Sequence, residues 1–203
     1  MTPSDERQLD AFAVDVRQLL EKSVASLYSH LVTRPTGRAV RMAIERQLDE
    51  LPGPALSLMD LSSVAVLDYS CADEVVAKLL IRFVDGEGAR DTFFLLQGVQ
   101  THHVEPIEAV LDRHDLAVVA ETAPDRFELL GRVGTAEARS LWDQIEESGR
   151  VQAQEVERMR AQEELRAGLD FLLRRRLAFR HPLRGDLHAL SSLAPRRDRT
   201  SSG

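Results

Sequence analysis

Residues 58–80 read LMDLSSVAVLDYSCADEVVAKLL, and the fold turns on the change of rhythm inside them. The run Val64-Ala65-Val66-Leu67 contains no polar residue, which suits a strand covered on both faces. After Asp68-Tyr69-Ser70 the apolar residues return at helical spacing, and Ser70 stands where a hydroxyl would cap the first free backbone N–H groups. A strand that enters a helix through a polar hinge is an α/β element. The ends of such strands are common binding sites in open α/β sheets.

The flanking sequence extends this pattern. Leu9, Phe12, Val16, Leu19 and Leu20 recur at three- and four-residue spacing, which predicts an amphipathic helix over Asp5–Lys22, within residues 1–23. A strand is expected over Val24–Thr33 and a helix from the Arg34-Pro35-Thr36-Gly37 break to Leu51, where Leu51-Pro52-Gly53-Pro54 ends it. Asp85-Gly86-Glu87-Gly88 reads as a turn before the apolar strand Thr92–Leu96. A helix over Thr101–His114, with Val104, Ile107, Val110 and Leu111 on one face, leads to strands Leu116–Ala120 and Phe127–Leu130. Alternation of this kind predicts an α/β sandwich with a mixed sheet over residues 24–131.

Past Gly131 the rhythm changes. Thr135 opens a helix carrying Leu141, Trp142 and Ile145, which ends at Ser148-Gly149. Further helices are expected over Ala153–Arg160 and Gln162–Arg176, the latter with Leu165, Leu169, Leu172 and Leu173 on one stripe. Ala178-Phe179-Arg180 and Leu187–Leu190 then flank the turn His181–Asp186 as a hairpin. Three helices and a hairpin, over residues 132–194, resemble the winged-helix variant of the helix-turn-helix. The polar residues 195–203, PRRDRTSSG, are expected to form a disordered tail.

Composition narrows the function classes. The 203 residues carry a net charge of −7 and a single cysteine, Cys71, so an intrachain disulfide is excluded and a cysteine zinc site is not expected. No apolar run approaches the roughly 18 residues a membrane helix needs, and MTPSDERQLD is acidic where a signal peptide is apolar, so a cytoplasmic protein is expected. Arginine outnumbers lysine 24 to 2, which points to a GC-rich bacterial genome. Residues 1–131 hold 12 basic and 22 acidic side chains, a net of −10, whereas residues 132–203 hold 14 and 11, a net of +3. A sign change along a chain hints that one part meets nucleic acid or an acidic surface.

The hinge resembles that of STAS domains, the fold of sulfate transporters and anti-sigma factor antagonists. Met59-Asp60-Leu61-Ser62-Ser63-Val64 followed by Asp68-Tyr69-Ser70-Cys71 resembles their signature strand and helix entry, and Ser70-Cys71-Ala72-Asp73-Glu74 is similar to a STAS-like subgroup with an Ala-Asp-Glu signature. The resemblance covers residues 24–130 and implies a protein-binding regulatory domain. Tyr69 stands where phosphorylatable members carry the acceptor serine, and Cys71 replaces their glycine.

Candidate chemistry gathers at this hinge. A phosphate on Ser70 would gain the helix N-terminus but meet Asp68, Asp73 and Glu74; the plain alternative is that Ser70 caps the helix while Asp73 and Glu74 supply first-turn charge. A nucleophilic Cys71 would need His102 or His103 as base, whereas a small buried cysteine is the commoner use. In residues 132–194, Arg166, Arg174, Arg175, Arg176, Arg180 and Arg184 form a basic set suited to duplex phosphates, yet Gln162-Glu163-Glu164 places acids in the helix turn that reads bases in such domains.

The sequence therefore predicts a non-enzymatic bacterial regulator with no cofactor and no metal. Its partner-binding surface would comprise Asp68, Tyr69, Ser70, Asp73 and Glu74, with Ser70 a modification candidate, and its winged helix would contact DNA or transcription machinery. The alternative is an assembly protein that self-associates through its helices.

Overall fold

The computed structural model describes residues 10–14, 30–51, 54–84 and 92–194. Their elements run β1 (Asp10–Val14), β2 (His30–Leu31), α1 (Arg34–Asp49), β3 (Ala55–Asp60), β4 (Val66–Leu67), α2 (Tyr69–Ala72), a π-helical turn (Asp73–Ala77), α3 (Lys78–Val84), β5 (Thr92–Gln97), α4 (Thr101–Arg113), β6 (Ala117–Ala123) and β7 (Arg126–Gly131). They continue α5 (Ala136–Ser148), β8 (Arg150–Val151), α6 (Ala153–Ala161), α7 (Glu163–Arg174), β9 (Ala178–Arg180), β10 (Leu187–Ala189) and α8 (Leu190–Leu193). The protein is mixed α/β. Its main sheet has the order β1-β3-β5-β6-β7, parallel except for the antiparallel β6–β7 pair.

Period-two alternation divides the apolar strands between two cores. On one face Met59, Phe94, Leu96, Val118, Ala120 and Leu130 join residues of α1, the helix from Tyr69 to Val84, and α4. On the other, Leu56, Leu58, Phe93, Leu95, Val119 and Leu129 pack with Leu141, Trp142 and Ile145 of α5, Leu169 and Leu172 of α7, and Phe179 and Leu187 of the small sheet. The change of rhythm near Gly131 thus divides the chain's patterning, while the second buried cluster runs across it. Residues after Gly131 supply the cover that the unbroken apolar strand β5 requires.

Several expectations shift. The strand expected at Val64–Leu67 shrinks to Val66–Leu67, paired with β2, and the strand in the main sheet is the earlier Ala55–Asp60. Ala65 and Val66 are exposed rather than covered, because an Asp60-capped turn at Ser62 carries the chain off the sheet before it reaches them. Most of the expected helix Asp5–Lys22 and of the strand Val24–Thr33 lies outside the described residues. Within the former, Asp10–Val14 is a strand parallel to β3, not a helix; pairing there satisfies β3 backbone groups that would otherwise lack partners. The tail 195–203 also lies outside the described residues.

The elements after Gly131 follow their signals closely. Thr135 Oγ1 accepts from Ala138 N, and Gly149 ends α5 with φ +68°. A short strand, β8, was not foreseen; it pairs with β10 and completes a three-stranded sheet of order β8-β10-β9.

Gly131 locks the end of β7. At φ +84°, a Cβ there would lie 2.4 Å from the carbonyl oxygen of Leu116 and 2.7 Å from Leu111 Cβ. The expected outcome of Gly131→Ala is a loss of about 3 kcal/mol, from left-handed backbone strain and the clash together. Urea unfolding should show a lower midpoint at unchanged slope.

Candidate functional site

The hinge begins with Asp68, whose backbone N–H donates to Leu31 O at 2.9 Å, tying it to β2. Asp68, not Ser70, is the cap. Its extended backbone precedes α2, and Oδ1 accepts from Cys71 N at 2.7 Å. The cap, and with it the helix start, lies two residues earlier than Ser70 suggested, and a carboxylate is a strong acceptor for free N–H groups. Ser70 Oγ donates to the two Asp68 oxygens at 2.9 and 3.1 Å, so its hydroxyl is committed to the cap carboxylate.

Tyr69 points outward. It is 51% exposed, and its hydroxyl donates to Glu105 Oε1 on α4 at 2.7 Å. Val66 (39%) and Val32 (44%) are also exposed. The parallel β2–β4 register sets Leu31 against Leu67, so the exposed Val32, Val66 and Tyr69 each stand within two residues of this pair along the chain.

Asp73 and Glu74 do not join that surface. They are 6% and 2% exposed and lie in the π-helical turn. Successive residues of a regular α-helix diverge by about 100°, yet here one guanidinium reaches both: Arg34 Nη1 is 2.9 Å from Asp73 Oδ2 and 3.0 Å from Glu74 Oε1. Arg41 Nε donates to Glu74 Oε2 at 3.2 Å and its Nη1 to Glu45 Oε1 at 2.6 Å. Lys78 pairs with Glu74, His114 Nε2 is 2.9 Å from Asp73 Oδ1, and Arg82 joins Glu45 to Asp49. Burial pushes both carboxyl groups up. It is outweighed at Asp73 by hydrogen bonds from His114 and Arg34 and the charge of Lys78, and at Glu74 by hydrogen bonds from Lys78 and Arg41, so both end below the usual carboxylate range.

The other candidates resolve into structural roles. Cys71 is fully buried; Sγ donates to Thr33 O at 3.0 Å, and burial with the nearby Asp68 charge pushes its thiol up to about 11. His103, one of its two candidate bases, is committed elsewhere. His103 is buried, with Nε2 2.7 Å from Val64 O and Nδ1 accepting from Gln100 N at 3.2 Å, and burial lowers its pKa so that it stays neutral. Among the described residues no group of three or more His, Cys, Asp or Glu is placed to hold a metal ion, and no helix is long and apolar enough to cross a membrane.

The arginines of the C-terminal part are dispersed. Arg175 pairs with Asp115 at 2.8 Å, in the turn between α4 and β6, and Arg176 Nη1 donates to Thr92 O of β5 at 3.3 Å. Arg180 pairs with Glu157 of α6 at 2.8 Å. Arg166, Arg174 and Arg184 are exposed. The sequence missed the cations that hold the carboxyl pair. Lys78 was legible as the i+4 partner of Glu74, whereas Arg34, Arg41 and His114 come from distant elements.

No protein-family model, no curated protein and no solved structure matches the chain.

Glu74→Gln removes the charge shared by Arg34, Arg41 and Lys78, and stability should fall by about 3 kcal/mol, the scale for breaking a buried pair. Because the folded pKa values of Asp73 and Glu74 are lowered, their contribution is complete above the unfolded carboxyl range near pH 4 and disappears as pH falls through the folded values. Urea midpoints measured down that range should fall more steeply for the native chain than for Glu74→Gln.

Proposed function

We propose that this chain is a non-enzymatic regulatory protein that binds a protein partner through the Val32–Val66–Tyr69 surface of a STAS-like unit, with a winged-helix unit making a second protein contact. One observation carries the reading: Val32, Val66 and Tyr69 are exposed within two residues of the paired Leu31 and Leu67, where Asp68 caps the hinge helix and buried ion pairs hold the next turn. An exposed tyrosine whose hydroxyl is already placed by Glu105 is a rigid anchor that costs little order to bury. The polar groups around it supply a rim. Chemistry at the hinge is disfavoured, since Cys71 and His103 are committed to backbone partners and Ser70 to Asp68.

The fold supports both unit assignments. A β-strand entering a capped helix at Asp68, with parallel strands on either side of β3, accords with a STAS-like unit. The sequence helix–strand–helix–helix–strand–strand from α5 to β10, with β10 central in its sheet, accords with a winged helix. Protein contact is favoured over duplex binding because Arg175, Arg176 and Arg180 hold the protein to itself, and the first turn of α7 carries Glu163 and Glu164. Leu183, in the turn of the β9–β10 hairpin, is 77% exposed. An apolar side chain there fits a protein surface better than a phosphate backbone.

Tyr69→Ala should leave the melting temperature within a few degrees of native while abolishing recovery of the protein captured from native lysate by the unaltered chain. A large fall in melting temperature, or undiminished capture, counts against the surface. Duplex DNA should give no salt-sensitive mobility shift, and such a shift lost in Arg166→Ala/Arg174→Ala would instead make the C-terminal unit a DNA reader.

A further inference from the structure

The main sheet ends at β7, and this edge is unused by the reading above. Among the described residues β7 pairs only with β6, in an antiparallel ladder. In such a ladder alternate residues turn their N–H and C=O groups away from the partner strand. Arg132 N donates to Leu116 O at 2.8 Å, on the β6 side, whereas Leu129 O accepts from Arg139 Nη2 at 3.3 Å. Glu128 and Leu130 therefore face β6 with their backbone groups, and Phe127, Leu129 and Gly131 face outward. An open row of this kind is a template for another strand.

The edge is short, and one register on it is open. Asp125 at φ +59° and Gly131 at φ +84° leave the extended conformation at its two ends. Arg139 already holds Leu129 O. That leaves Phe127 as the outward residue of extended backbone whose N–H and C=O are both unclaimed among the described residues. Its neighbours Arg126 and Glu128 project on the other face of the strand, 71% and 37% exposed, and pair with each other at 2.6 Å. The Phe127 ring lies partly buried against the second core.

This pattern is complementary to itself. When two identical strands meet antiparallel about a two-fold axis at Phe127, the two Phe127 residues exchange both backbone hydrogen bonds at a Cα separation of about 5.5 Å. Each Arg126 then stands opposite the partner copy's Glu128, so four charges alternate in sign across the seam. Opposite charges and paired aromatic rings both stabilise antiparallel strands. A register centred one residue further on sets Glu128 against Glu128, which is repulsive, and requires the Leu129 carbonyl that Arg139 holds. We infer that β7 is a self-pairing edge, through which a second copy of this chain joins two five-stranded sheets into one continuous sheet. The contact uses the same patch on both copies and closes on itself. It involves no residue of the hinge surface, so it stands independently of what that surface binds. A ladder this short makes a dimer that forms and dissociates with concentration.

Sedimentation of the full-length chain should show a monomer–dimer equilibrium in the micromolar range. Arg126→Glu and Glu128→Arg, both at exposed side chains, should each weaken the dimer at least about 10-fold, because both cross-strand charge pairs turn repulsive together. An equal mixture of the two single variants should recover association as a heterodimer, since position 126 of either chain then meets the opposite charge at position 128 of the other. In hydrogen exchange on the native chain, the Phe127 amide should be protected at high concentration and lose that protection on dilution, while the Glu128 amide, which faces β6, stays unchanged. A native chain that remains monomeric overturns the inference and leaves the edge to solvent or to an extended segment of another protein. Dimers that persist in both single variants place the contact elsewhere, on the helices, and overturn it too. A mixture that fails to associate, or a Phe127 amide that exchanges freely within the dimer, does the same.

Discussion

Two adjacent carboxylates, Asp73 and Glu74, are carried into the interior on the first turns of the hinge helix, and this single commitment shapes everything around it. A buried acid is tolerable only when cations and hydrogen bonds replace its water. Arg34 and Arg41 supply them from α1, Lys78 from α3, and His114 from the end of α4. These elements can occupy only the positions from which their charges reach. The small β2–β4 ribbon is drawn into the same arrangement because the Asp68 backbone N–H donates to Leu31 O. Gly37, whose added Cβ would lie 3.0 Å from Cys71 Cα and from Glu74 Cβ, shows how closely α1 must approach for this to work.

A second constraint comes from the strands. An apolar strand such as Thr92–Gln97, buried along its whole length, needs cover on both faces. The hinge side provides one layer. The other comes from the helices after Gly131, with Trp142, Leu169 and Phe179 packed toward Leu56, Leu58 and Phe93, and with Phe93 and Phe179 in edge-to-face contact at 5.5 Å. Arg175 and Arg176 reinforce that seam through Asp115 and Thr92. Two of the six arginines that resembled a nucleic-acid surface in sequence, Arg175 and Arg176, therefore belong to the joint between the sheet and its second cover.

Legibility in sequence tracked the range of the interactions involved. α4, β5, α5 and the hairpin were readable because their signals are local: a helical repeat of valine and isoleucine, an unbroken apolar run, Thr135 as a cap and Gly149 as a stop. The Val64–Leu67 run misled because its composition suits a strand while the turn at Ser62 takes most of it off the sheet. At the hinge, Tyr69 was legible as an exposed aromatic. The fate of Asp73 and Glu74 was not, since first-turn acids usually face solvent and three of the four cations that internalise them, Arg34, Arg41 and His114, lie 33 to 41 residues away in sequence. Asp68 displaced Ser70 as the cap for a local reason: either residue type suits the role, and the starting point of the helix decided between them.

The same packing gives the molecule an internal reporter. Cys71 is the sole thiol in the chain, wholly enclosed between α1 and the hinge helix, hydrogen-bonded to Thr33 O and poor in thiolate with its pKa near 11. Alkylating reagents attack the thiolate, so labelling must wait for α1 and the hinge to part. The rate of labelling thus measures how often α1 and the hinge helix part, and anything that braces this seam will register as a slower rate, with no substitution or added probe needed.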